Sequence, residues 1–208
     1  RIAPVKSAPV ASAPSSVAPA RAQSAGPDWE QADSCVLSVD FDVTLPPSGG
    51  FTAHDPLYGY RFDGSFLAAG AWRAPQGTDA VEHLEGYGLT WMHSLLLAIR
   101  DSASPAEHLD WLVSRMVSTL AWRPDDGDRT DVVWSEGVNL RREQGLNCLY
   151  GVTRDSRLLP VIAAVATANM DPNRYYGPPR WPPHNHGLMA NLALLRSGEL
   201  DPEEAAGL

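Results

Sequence analysis

The chain has 208 residues, 44% of them apolar, with 25 acidic residues against 16 basic and a formal net charge of −9. That is enough apolar material for one compact domain or a domain with a small companion. The acidic excess argues against a nucleic-acid partner, whose recognition draws on a basic surplus, and no run approaches the roughly 18 apolar residues that a membrane span requires.

Residues 1–28 open with RIAPVKSAPVASAPSSVAPARAQSAG, in which Ala, Pro, Ser and Val follow neither a helical nor an alternating period. Such a segment buries too little surface to offset its ordering entropy, so the expectation is a semi-stiff, disordered linker. Tethers of this kind often follow the cleavage site of exported proteins, which points to an extracytoplasmic (periplasmic or secreted) location. A GC-rich tract without a role gives the same composition.

Residues 29–86 form the second segment, small, irregular and β-containing. Within CVLSVDFDVTL, Val39, Phe41 and Val43 alternate with Asp40, Asp42 and Thr44, the period of a half-exposed strand. From Pro46 to Gly88 the density of Gly, Pro and aromatic residues predicts loops and short strands. Cys35 in this segment and Cys148 further on are the two cysteines. Cys148 falls on an apolar helical stripe, as a buried free thiol would, and a Cys35–Cys148 disulfide is the alternative in an oxidising compartment.

Residues 87–208 read as mainly helical. Leu89, Met92, Leu96 and Ile99 recur at helical spacing. In the next helix Ser104 is a candidate cap, Pro105 suits the first helical position and Glu107 would complete a capping box. Leu109, Leu112, Met116 and Leu120 make its apolar face. RPDDGDRTD (residues 123–131) reads as a solvated loop, since its glycine is not where a calcium-binding loop requires it.

Trp134, Val138, Arg141, Gly145 and Cys148 then recur at spacings of four and three, placing Arg141 on an apolar face and turning Arg142 elsewhere. An arginine on such a face needs a partner, because burying an unpaired charge is costly. Two readings stand: an ion pair with Glu136 or Asp155 (or a snorkelling stem), and a guanidinium that grips an anion in a cleft. Asp155 or Ser156 can start another helix running to Asn169, with Pro160 near its start.

The stretch MDPNRYYGPPRWPPHNHG cannot continue a helix. It sets Tyr175, Tyr176 and Trp181 beside Arg174 and Arg180, a mixture that suits sugar faces and carboxylates. It suits equally a proline-stiffened connection whose aromatic side chains cover the core. His184, Asn185 and His186 stand where the next helix begins, with Leu188, Leu192 and Leu195 at helical spacing after them. Asn185 is a good cap in its own right. A histidine in the first turn feels the positive end of the helix dipole and is held neutral, as a general base must be. The neighbouring amide can donate to a carboxylate. Together they suit abstraction of a proton from carbon next to a carboxyl group. The competing use is a metal site on His184 and His186 with Asp171, which lacks a convincing ligand set; no metal and no cofactor is expected.

Trp134, Arg141 on a helix, a second helix, and then Asn185-His186-Gly187 opening a third resemble the N-terminal helical region of heparinase II/III-like and alginate lyase-type polysaccharide lyases. LTWMHSLLLAIR and WSEGVNLRR are similar to the early helical hairpins of that group, and the resemblance covers about residues 85–198. It implies a partial (α/α) toroid of helical hairpins and β-elimination on uronic-acid polysaccharides. By position, Asn185 would neutralise the uronate carboxyl and His186 would be the base or its partner. Arg141, Trp134, Arg180, Trp181, Tyr175, Tyr176 and His184 would touch substrate. Lyases of this group also use a tyrosine well beyond the Asn-His pair and a following β-sheet domain, whereas this sequence stops at Leu208. The expectation is therefore a lyase or a fragment of one. Its partner would be an acidic poly- or oligosaccharide, with a missing C-terminal segment or another chain covering the open toroid. A non-catalytic carbohydrate-binding or assembly module and a metal-dependent hydrolase are the alternatives.

Overall fold

In the computed structural model the described residues are 26–35, 40–47, 49–68, 72, 79–121, 133 and 136–169. They are mainly helical, with one small sheet. In chain order they form α1 (Trp29–Ser34), β1 (Asp42–Thr44), β2 (Thr52–His54), β3 (Arg61–Asp63), a 3-10 turn at Gly64–Leu67, α2 (Ala80–Tyr87), α3 (Met92–Arg100), α4 (Pro105–Leu120), α5 (Glu136–Thr153), a second 3-10 turn at Ser156–Leu158 and α6 (Leu159–Asn169). Among the described residues no helix is long and apolar enough to cross a membrane.

The three strands form an antiparallel meander in the order β1-β2-β3. Val43, Ala53 and Phe62 lie side by side across it, and Ala53 and Phe62 are buried while Asp42, Asp63 and Arg61 face solvent. This is the expected period of two, but the first strand is shorter than the run CVLSVDFDVTL suggests. Cys35 instead ends the short helix α1, which the sequence did not announce.

A second helix also arises where loops were expected. Asp79 accepts hydrogen bonds from the backbone N–H groups of Val81 and Glu82, at 2.7 and 3.4 Å, and so caps α2. Gly86 lets that helix lie directly on the sheet: a Cβ there would come 2.6 Å from the Phe62 ring. After α2 the chain turns through Leu89, a buried residue with φ +57°, so α3 begins at Met92 rather than at Leu89. Gly145 of α5 sits under this turn, where a Cβ would meet Leu89 at 2.9 Å.

Helix α4 begins as expected with Pro105 in its first turn and buries Leu109, Leu112, Met116 and Leu120. The capping box does not form. The Ser104 hydroxyl makes no capping bond, and its carbonyl instead accepts from the backbone N–H and the ring Nδ1 of His108. Before α6, Asp155 caps the 3-10 turn through the N–H of Arg157 at 2.9 Å. The helix then runs to Asn169 with Pro160 near its start, as the sequence indicates.

Helix α5 is the hub. It packs against α1, α2, α3 and α6, and the buried core runs unbroken from Ala32 to Val165. Each of its fully buried Leu or Val side chains, such as Leu146, Leu149 and Val152, contributes on the order of 1.5–3 kcal/mol. Cys35 and Cys148 are joined in a disulfide with a Cα–Cα distance of 5.6 Å, tying α1 to α5. This replaces the buried free thiol expected at Cys148. The backbone N–H of Asp28 donates to the Val152 carbonyl at 2.8 Å, and Arg100 pairs with Asp33 at 2.9 Å, so α1 is held at both ends.

Candidate functional site

Helix α5 carries two adjacent arginines into different surroundings. Arg141 is about a quarter exposed, and its guanidinium approaches the carboxylate of Glu85 at 3.9 Å. Glu85 belongs to α2 and is buried; its other carboxylate oxygen accepts a hydrogen bond from the Thr90 hydroxyl. The carboxylate that faces Arg141 here is thus that of Glu85, and of the two readings of this arginine the described geometry supplies an ion pair.

Arg142 is the buried one, with no exposed surface. This corrects the expectation that it turns away from the core. Its Nε donates to the Tyr87 carbonyl at 3.0 Å, one terminal nitrogen donates to Asn139 Oδ1 at 2.8 Å, and the other donates to the Val133 carbonyl. The guanidinium also lies 4.6 Å from the centre of the Trp72 ring. Burial of a guanidinium is tolerated when its donors meet acceptors on every side, as they do here.

Asn139 and Glu143 extend this polar layer to α6. The side-chain amide of Asn169 donates to Glu143 Oε2 at 2.5 Å and to the Asn139 carbonyl at 3.4 Å. All three side chains are buried. Helix α6 therefore ends on a fixed polar anchor, and residue 170 follows directly. Arg141 lies at the same level of α5, but on the opposite side from the pair that holds Asn169, since two residues turn a helix by about 200°.

Of the residues singled out from the sequence, Arg141 is placed by the described structure, on the α2 side of α5. Trp134, Tyr175, Tyr176, Arg180, Trp181, His184, Asn185 and His186 lie outside the described residues, as do the acidic loop 123–131 and residues 1–25 of the expected linker, whereas Asp28 at the linker's end is bonded to α5. Glu85, Thr90, Asn139, Arg142, Glu143 and Asn169 were missed. A signal for part of this set was present: Asn139, Arg142 and Glu143 stand at i, i+3 and i+4, one face of a helix. Glu85 had no such signal inside a Gly-rich stretch. Among the described residues, no group of three or more His, Cys, Asp or Glu side chains could hold a metal ion.

Compared with known protein families, curated proteins and solved structures, the chain matches none of them.

Proposed function

We propose that the chain is a polysaccharide lyase, or part of one, with a partial (α/α) toroid, acting on uronic-acid-containing polysaccharide outside the cytoplasm. The chemistry requires a base that removes the proton on C5, next to the carboxyl group. The electron pair forms the C4–C5 double bond, the C4–oxygen bond breaks, and the departing sugar oxygen takes a proton. His186 is the base or its partner, and Asn185 together with Arg180 stabilises the charge that develops on the carboxylate. Arg141, already paired with Glu85, is left a rim contact.

The observation that carries this reading is the anchoring of Asn169. In sequence, the proline-rich stretch bearing the aromatic residues, Arg180 and the Asn-His pair follows Asn169, whose buried side chain bonds Glu143 of the central helix at 2.5 Å. The contacts between consecutive helices joined by short connections, α3 with α4 and α5 with α6, support this reading, since a toroid repeats helical hairpins. The Cys35–Cys148 disulfide supports an oxidising compartment.

The test is to incubate the protein with alginate, heparan sulfate, hyaluronan and polygalacturonate and to follow the ultraviolet absorbance of the unsaturated uronide. Elimination should appear with one of them, survive chelator, and fall by at least about a hundredfold in His186→Ala. Absence of the unsaturated product with all four polymers, or full activity in His186→Ala, overturns the proposal.

A further inference from the structure

Away from α5, a cleft of about 840 Å³ opens between β1, the Pro46–Pro47 turn that follows it and the first two turns of α4. Its volume lies in the range of small-molecule sites, about 300–1,000 Å³. Val43, Leu45 and the two prolines give it apolar walls, while Glu107, His108 and Trp111 bring polar groups to the same space.

The hydrogen bonds around His108 fix what that ring can offer. The Ser102 hydroxyl spends its single proton on the Ile99 carbonyl at 2.7 Å, so towards His108 it is an acceptor. The Nδ1 of His108 lies 3.2 Å from that oxygen and 2.9 Å from the Ser104 carbonyl. Two acceptors facing Nδ1 place the proton there, which leaves Nε2 of the neutral ring as an acceptor. No described group bonds to Nε2. Glu107 is exposed and makes no ion pair, and the indole N–H of Trp111 donates to nothing among the described residues.

Trp111 is held firmly at the same time. Its ring meets Phe51 edge-on at 6.3 Å, and the backbone of Gly64 passes close beneath it, where an added Cβ would stand 3.4 Å away. Gly49 and Gly50, with φ of +84° and +94°, carry the neighbouring loop past the indole in a conformation that suits glycine.

We infer that this cleft is a binding site for an uncharged sugar unit, whose hydroxyl groups donate to His108 Nε2 and Glu107 and accept from the Trp111 indole N–H. Among the described residues no Lys or Arg lines the cleft; the Arg115 guanidinium lies 5.9 Å over the Trp111 ring. A carboxylate at Glu107 and an unshared acceptor on His108 repel an anionic ligand, so the site discriminates against uronate. Apolar walls beside a few convergent polar groups match the alternating CH and OH surface of a pyranose. The inference does not rest on lyase activity, because it concerns binding at a separate place.

The test is NMR titration of the full chain with cellotetraose, maltotetraose and mannotetraose, with tetragalacturonate as the charged control, following the Trp111 indole N–H resonance. At least one neutral tetrasaccharide should shift it saturably, and tetragalacturonate should not. His108→Ala should weaken that binding at least tenfold by the same resonance, and Trp111→Phe, which removes the reporter, should do so by isothermal titration calorimetry. Glu107→Gln, at an exposed side chain with no ion pair, should weaken it several-fold with the melting temperature unchanged. Lack of a saturable shift with all three neutral sugars, equal binding of tetragalacturonate, or undiminished affinity in Glu107→Gln and His108→Ala overturns the inference. These results are independent of whether ultraviolet-absorbing product forms, so this site and the elimination chemistry fail separately.

Discussion

The guanidinium of Arg142 is stacked over the ring of Trp72 at 4.6 Å while its donors reach the Tyr87 carbonyl, Asn139 and the Val133 carbonyl. Arg142→Met keeps most of the stem but leaves these acceptors without their donor. Each buried polar group so orphaned costs about 1–3 kcal/mol. The variant should therefore lose about 3 kcal/mol or more in urea denaturation. Arg142→Lys should recover little, because an ammonium cannot reproduce a planar fork. A loss in Arg142→Met below about 1 kcal/mol would show that the layer is not what fixes α5.

Its neighbour should behave differently. Arg141 pairs with Glu85 at 3.9 Å and remains about a quarter exposed, whereas Glu85 is buried, so Arg141→Gln should cost more than the ~1 kcal/mol of an exposed pair. On the proposed polysaccharide substrate it should raise KM several-fold and leave kcat nearly unchanged, as expected for uniform binding at a rim. A hundredfold fall in kcat at unchanged KM would place the guanidinium at the transition state instead.

The disulfide closes a sequence separation of 113 residues. Disulfides typically stabilise by about 2–4 kcal/mol, chiefly through the unfolded state. Reduction with dithiothreitol, and the Cys35→Ser/Cys148→Ser double variant, should each lower the denaturant midpoint by a matching amount. If the reduced protein and the double variant melt with the oxidised one, the clasp contributes nothing.

Acid should expose the role of Asp155. Hydrogen bonds from the Arg157 side chain hold this carboxyl below the ordinary carboxylate range, and burial opposes them only in part. Arg157 also reaches Asp110 at 2.6 Å. A group whose folded pKa is depressed stabilises the fold above its unfolded value, about 3.9 for Asp, and that contribution is lost as pH falls through the folded value. Asp155→Asn keeps a capping side chain but loses the charge. It should melt below the parent at neutral pH, by an equivalent of about 1 kcal/mol or less for so exposed a pair. The two melting temperatures should converge towards pH 2. A difference that persists in acid would assign the effect to something other than the carboxylate.

Local chemistry made much of the fold legible. Pro105 and the spacing of Leu109, Leu112, Met116 and Leu120 specify α4, and Asp155 marks the start of the α6 region. The alternation around Val43 marks the sheet, although that strand is only Asp42–Thr44. What escaped was decided by tertiary packing. Helix α5 is covered on several sides, so it has no single apolar stripe, and reading one onto it put Arg141 where Arg142 belongs. Helix α2 hid because Gly86 and Gly88 look like loop residues, whereas a Cβ at Gly86 would meet the Phe62 ring and one at Gly88 would come 3.0 Å from Arg141. Of the candidate site, the Arg141 environment is in view, and its partner Glu85 comes from that same hidden helix.

The three-sided grip on Arg142 has a further consequence. It gathers the end of α2, the residue at 133 and the first turns of α5 onto one immobile charge. Any partner that approached α5 on that side would meet a layer already settled, and little of its binding energy would be diverted into ordering the protein.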